Sequence, residues 1–171
     1  MWQQLLNDTL EVVSDGLEKA LAGLSQADLN EQPHPDCNSM GWLAWHLTRT
    51  QDRAIASIIG EDQIWIKEKW YAKFDRAPDP SDSGFSHKSE DVAGFKSPDV
   101  EILLSYHKAV LKRSKQYIEK ITEAELGRKM DHPKFSTVEA YLVAVLNDDL
   151  QHLGQIAYLR GLLKGKGWSN I

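Results

Sequence analysis

Two histidines and two neighbouring aspartates are the residues of this chain best placed to do chemistry. In the stretch NDDLQHLGQIAYLRG, Asp148 and His152 stand one helical turn apart. At about 3.6 residues per turn they project from the same side of a helix and offer one oxygen and one nitrogen to a divalent cation. The stepping of Tyr141, Val145, Asp148, His152, Ile156, Leu159 and Leu163 by 4, 3, 4, 4, 3 and 4 puts both groups inside an apolar stripe. A carboxylate taken out of water needs a compensating cation, so Asp148 demands a metal ion or an arginine such as Arg53 or Arg160. Spacing alone leaves these open. Asp149, nearer the edge of the stripe, is the alternative carboxylate.

A third donor lies in GWLAWHLTRTQ, where His46 sits at the shoulder of another apolar stripe with Trp42, Thr50 and Arg53 on its side. A lone histidine there also fits a purely structural role. If the two helices are neighbours, His46, Asp148 and His152 supply two nitrogens and an oxygen and leave coordination positions open, the catalytic rather than the structural pattern for zinc, compatible also with nickel or iron. The other histidines show no paired spacing. His107 falls on an inner helix face and reads as a core group, whereas His87 can reach the site from a loop. Cys37, close to a helix start, could be activated by the helix dipole, but a buried or inert thiol is the simpler reading.

The elements that must position these groups are helical. Trp2, Leu5, Leu6, Thr9, Val12, Val13, Gly16, Leu17, Ala20, Leu21 and Leu24 form the stripe of a first long helix. Pro33 and Pro35 then enforce an extended connection, and Ser39 or Asn38 caps a second helix over about 40–59. Residues from Gly60 to about Pro98 lose the periodicity but carry Trp65, Trp70, Tyr71, Phe74, Phe85 and Phe95, with short helical pieces such as EDVAGF. So long and aromatic a segment is a lid, a binding element or a cover over one end of the domain rather than a spacer. A third helix follows Pro98, with Val100, Leu103, Leu104, His107, Leu111, Ile118 and Ile121 inward. The fourth opens at STVEAY with Ser136 and Glu139 as a capping box, and Gly161, Gly165 and Gly167 mark its end. Four long helices without any alternating strand pattern predict an all-α four-helix bundle, with a long ordered crossover loop between helices two and three.

The chain has 171 residues, a net charge of −5, 42% apolar and 26% charged residues, which suits one globular domain over 1–171 with a substantial core. An acidic balance whose longest basic cluster is KGKG argues against nucleic acid as a partner. No apolar run approaches a membrane span, and the amphipathic N-terminus lacks the form of a signal segment, so the expected location is cytoplasmic. One cysteine excludes an internal disulfide. Nucleophilic triads, phosphate-cradling glycine loops and zinc-ribbon cysteines are absent.

The stretches LSQADLNEQPHPDCNSMGWLAWHLTRTQ, GFSHKSEDVAGFKSPDVEILLSYHKAV and STVEAYLVAVLNDDLQHLGQIAYLRGLLKGKGW resemble the DinB-like superfamily. The branch that includes the N-terminal domain of mycothiol-dependent maleylpyruvate isomerase is the most similar. The resemblance runs over nearly the whole chain and implies a DinB-type bundle, often a homodimer, with a divalent metal near one end. The family commonly uses one histidine of helix two and an H-x-x-x-H pair of helix four. His46 and His152 match the outer two, and Asp148 replaces the middle histidine, like the carboxylate variant of the isomerases. The implied activity is a metal-dependent S-transferase or isomerase in which the ion activates a low-molecular-weight thiol against an electrophile; a non-catalytic metal-binding or stress-response bundle is the alternative. Arg53, Tyr158 and Arg160 are the candidates to orient substrate.

Overall fold

The apolar periodicities resolve into nine helices among residues 1–165, the part of the chain that the computed structural model describes. They are α1 (Trp2–Leu21), α2 (Gln26–Asn30), α3 (Met40–Ile59), α4 (Ile64–Lys67), α5 (Trp70–Lys73), α6 (Ser89–Gly94), α7 (Val100–Ile118), α8 (Glu123–Leu126) and α9 (Val138–Lys164). Among these residues there is no strand, only an isolated bridge between Lys129 and Thr137. The long helices α1, α3, α7 and α9 form the expected four-helix bundle. Both α3 and α1 pack against α7 and α9, so the two histidine-bearing helices are direct neighbours.

Side-chain pairings give the helix directions. Gly41 abuts Ser97, Thr48 bonds His107 and Gln51 bonds Ser114, while Ile58 clusters with Ile121, so α3 and α7 run the same way. Ile55 and Ile58 meet Val138 and Leu142, whereas His46 meets Asp148 and His152, so α9 runs against α3. Parallel neighbours cannot be joined by a tight turn. That is why residues 60–99 form a crossover, whose Trp65, Trp70, Phe74 and Phe95 are buried in the main core with Tyr106. Phe85 alone of its large aromatics is well exposed, at 69%.

Two charged residues of α3 hold this crossover. Asp52, fully buried, accepts hydrogen bonds from the backbone N–H of Ile64 (2.9 Å) and Trp65 (2.8 Å), from Tyr106 Oη (2.8 Å) and from Arg113 Nη2 (2.7 Å). Arg49, equally buried, donates to the carbonyls of Asp82 (2.9 Å) and Pro80 (3.2 Å) and to Gln63 Oε1 (2.7 Å), with its guanidinium over the Trp65 ring. Almost every side chain of α3 is buried, because the bundle flanks it on two sides and the crossover covers it on another.

Several local expectations need correction. The cap of α9 is Thr137, whose hydroxyl accepts from Ala140 N, and not Ser136. The connection from α1 to α3 is not wholly extended, since Ser25 and Asp28 form a capping box that starts α2. Of the two candidate caps for α3, Ser39 does it, accepting from Trp42 N. Gly161 lies inside α9 and Gly165, at φ 77°, ends it; Gly167 lies outside the described residues. No helix among the described residues is long and apolar enough to cross a membrane.

Replacing Asp52 with alanine removes the acceptor shared by two backbone amides, a phenol and a guanidinium, and strands two arginines. Urea unfolding should show a loss of about 3–5 kcal/mol, the usual cost of breaking a buried charge pair from one side. A loss within experimental error would mean that the crossover is held elsewhere.

Candidate metal centre

His46 is fixed from three directions. Its Nδ1 donates to the backbone carbonyl of Ser83, and since a carbonyl only accepts, the proton must sit on Nδ1 and the lone pair on Nε2. Trp42, one turn earlier on α3, stacks on the imidazole with centroids 4.7 Å apart and planes at 10°. Gly84, at φ 82°, follows the accepting carbonyl, and a Cβ there would stand 2.6 Å from Trp42 and 3.0 Å from His46 Nδ1. A glycine is therefore required both by backbone conformation and by space.

The loop that presents Ser83 is itself anchored. Asp82 accepts from Arg76 Nε (2.9 Å) and Nη2 (2.6 Å), while its other oxygen faces His87 Nε2 at 3.2 Å. His87 Nδ1 in turn accepts from Trp42 Nε1 at 3.1 Å. His87 thus acts from the loop, as its position suggested, but by holding the indole that stacks on His46.

Opposite His46, α9 brings Asp148 and His152. His46 Nε2 lies 3.9 Å from Asp148 Oδ2, and His152 Nε2 lies 3.4 Å from Asp148 Oδ1. One ligand atom from each of the three residues falls within 4.8 Å of the others. His152 Nδ1 contacts Gln155 Oε1 at 2.8 Å, so this ring too donates from Nδ1 and turns Nε2 inward. Such outward bonds are what orient histidine ligands in metal sites. Asp148 Oδ2 is shielded from solvent and has no hydrogen-bond partner among the described residues. Two inward imidazole lone pairs and an unsatisfied carboxylate oxygen fit a divalent cation, the group that satisfies all three at once.

The electrostatics of the two rings differ. Burial pushes His46 below the usual histidine range, the neighbouring His152 adds to this, and the Ser83 bond and Asp148 only partly oppose it. Burial also pulls His152 down, but hydrogen bonds to Asp148 and Gln155 and the Asp148 charge outweigh it and hold the ring above its ordinary value. A metal ion therefore competes with a proton chiefly at His152. Measured from about pH 8 downward, metal affinity should stay level and then fall about tenfold per pH unit once the pH drops below the raised His152 value, steepening where His46 also protonates. Affinity independent of pH across this range would contradict imidazole ligation.

The neighbouring carboxylate behaves oppositely to expectation. The buried register of α9 is Val138, Leu142, Val145, Asp149, Ile156 and Leu159, so Asp149 points into the core and Asp148, 31% exposed, stands at the stripe's edge. Both Asp149 oxygens are buried without hydrogen-bond partners among the described residues, and desolvation, then the nearby Asp148 charge, pushes its carboxyl well above the usual range. Neither Arg53 nor Arg160 serves as the counter-charge of Asp148: Arg53 Nη1 donates to Ser83 Oγ (2.6 Å) and Arg160 Nη1 to the carbonyls of Ala20 and Ala22 (both 2.7 Å). Arg53 does share a cleft with His46 and Asp148; Tyr158 and Arg160 do not line it. Tyr158 is 71% exposed and lines a separate groove together with Cys37, an exposed rather than a buried residue. His107 is a core residue, as expected, bonded through Nδ1 to Thr48. The cleft beside His46 is also lined by Tyr141, which shares the helical stripe of Asp148 and His152, and by Phe85, His132 and Phe135, none of which spacing could associate with the site.

The fold and site together define a helical bundle that carries a two-histidine, one-carboxylate centre beside a cleft. The chain belongs to the DinB superfamily, whose sequence profile matches residues 9–156. It is also similar to a solved structure described as a conserved protein from Enterococcus faecalis. That similarity has 30% identity and a TM-score of 0.87, covering 95% of this chain and 97% of the other. No curated protein matches the chain.

Proposed function

We propose that this protein is a divalent-metal-dependent S-transferase or isomerase-type enzyme that uses a low-molecular-weight thiol. The observation that carries the reading is the Asp148 carboxylate, with one oxygen shielded and unsatisfied, between two imidazoles whose Nε2 atoms face its two oxygens, at the wall of a cleft rather than in a closed core. Three protein donors leave room for an outside ligand, which distinguishes catalytic from structural zinc. A zinc-type ion held there supplies a lowered pKa for a coordinated thiol near neutral pH; nickel and iron suit the same donor set. The thiol gives its proton to solvent and its sulfur attacks an electrophilic carbon. Either a leaving group departs with its bonding pair, or, at a double bond, the adjacent carbon takes up a proton. His46, Asp148 and His152 hold the centre, and Ser83, Trp42 and Gln155 keep the rings in orientation.

Protein purified without a histidine tag should carry a stoichiometric divalent ion by elemental analysis, and His46→Ala combined with His152→Ala should lose it while keeping helical content. Thiol transfer to a generic electrophile, tried with several cellular thiols, should then depend on that metal. Retention of metal by the double variant would overturn the site, and stoichiometric metal without turnover with any thiol would favour the passive metal-binding bundle.

The reading includes a homodimer, supported by apolar side chains left exposed on adjacent helices: Leu5 and Val12 on α1, Val143 and Leu150 on α9. Light scattering at micromolar concentration should report a dimer, converted to monomer by Leu150→Glu. A monomeric wild type would count against it.

A further inference from the structure

Beside the centre lies a cleft of about 320 Å³ whose wall includes His46 and Asp148 of the centre and the loops around Phe85 and Lys134. Arg53, two turns beyond His46 on α3, lines it. The half-buried guanidinium spends Nη1 on Ser83 Oγ at 2.6 Å. Arg49, Arg76, Arg113 and Arg128 each lie within ion-pair distance of a carboxylate, and Arg53 meets none among the described residues. Guanidinium carries five N–H donors in a planar fork, so most of its hydrogen-bonding capacity is uncommitted.

The rest of the lining agrees with an anion. Lys134 Nζ stands 4.5 Å from the centroid of the Phe85 ring and links the two loops. His132 Nδ1 accepts from the backbone N–H of Lys134 (3.1 Å) and Phe135 (3.2 Å), which leaves its proton on Nε2 as a further donor. Among the described residues Asp148 is the one carboxylate of the lining, and it belongs to the centre. The remaining walls combine the rings of Phe85, Phe135 and Tyr141 with small side chains such as Ala144 and Val145, and Phe135 stacks on Tyr141 with centroids 4.7 Å apart and planes at 18°.

We infer that this cleft binds a small organic carboxylate with a flat apolar body. The carboxylate takes the free N–H groups of Arg53 side by side, the arrangement for which that side chain is shaped. The body lies against Phe85, Phe135 and Tyr141, and the carbon next to the carboxylate is directed towards His46 and Asp148. A bare phosphate would use the guanidinium but leave the aromatic walls uncovered, and a neutral aromatic would leave the guanidinium unpaired. A volume of this size is at the lower end of small-molecule sites. Assigning the bound acid as the electrophile depends on the metal-enzyme reading above; its binding does not.

The test is titration of benzoate into the full chain after chelator treatment, followed by calorimetry or by chemical-shift changes, with benzamide and inorganic phosphate as comparisons. Benzoate should saturate one site, with benzamide and phosphate at least about tenfold weaker. Arg53→Met should weaken benzoate by about tenfold or more, with Arg53→Lys between the two. Circular dichroism of each variant reports folding, and the three-ligand comparison on the wild type needs no variant. Absence of benzoate binding, equal binding of phosphate, or undiminished binding by a folded Arg53→Met protein would each overturn the inference. Because metal is removed, benzoate binding in a chain that takes up no metal would sink the centre alone, and metal uptake without benzoate binding would sink this inference alone.

Discussion

The bond from His46 to the Ser83 carbonyl depends on a constraint of topology. Since α3 and α7 lie side by side and run the same way, the chain must travel back along the bundle between them, and the segment 60–99 does so over the face of α3. Arg49 and Asp52 receive that segment with fully buried charges, each satisfied by several partners, so it packs as part of the core. The Asp82 carbonyl bound by Arg49 immediately precedes Ser83 in the chain. A crossover needed for connectivity thus also sets the tautomer and direction of the first imidazole. Stability and the candidate chemistry share the same bonds, and damage to the anchor should reach the site although no anchoring residue is a ligand.

On the opposite wall, α9 solves a different problem with two consecutive aspartates. Asp149 is desolvated in the bundle and driven towards the neutral acid, which tolerates burial better than a lone carboxylate does. Asp148, about 100° round the helix by α-helical geometry, keeps partial solvent contact and two imidazole neighbours. The negative charge is therefore concentrated where the two Nε2 atoms converge. Gln155 completes the arrangement by fixing His152 from the solvent side. Two of the outward bonds come from residues of modest character, a backbone carbonyl and a surface glutamine, yet they decide which nitrogen each ring offers.

Much of this was legible in the sequence, because helical periodicity is local. The four long helices and the pairing of Asp148 with His152 follow from spacings of three and four residues, and capping chemistry narrowed the start of α3 to Ser39 or Asn38. What spacing could not supply was the register of α9. Spacing draws the stripe through Asp148, but the buried line runs through Asp149, because the helix is apolar on nearly all sides and offers no sharp boundary between faces. The Ser83 and Gly84 support of His46 and the cleft walls at Phe85, His132 and Phe135 were invisible for another reason. They come from loops far apart in sequence that meet only after α9 has packed against α3. Adjacency of helices two and four, the condition on which the whole site rested, is a tertiary fact that resemblance to the family implied and the bundle geometry supplies.

The central claim is that His46, Asp148 and His152 jointly hold one divalent ion through two imidazoles and a carboxylate. X-ray absorption at the zinc edge of the protein loaded with a single equivalent of zinc tests it most directly. The account predicts a first shell of nitrogen and oxygen only, with the outer-shell scattering of two imidazole rings, reduced to one ring in His46→Ala. A sulfur in the first shell, or a shell of oxygens without imidazole scattering, would contradict it.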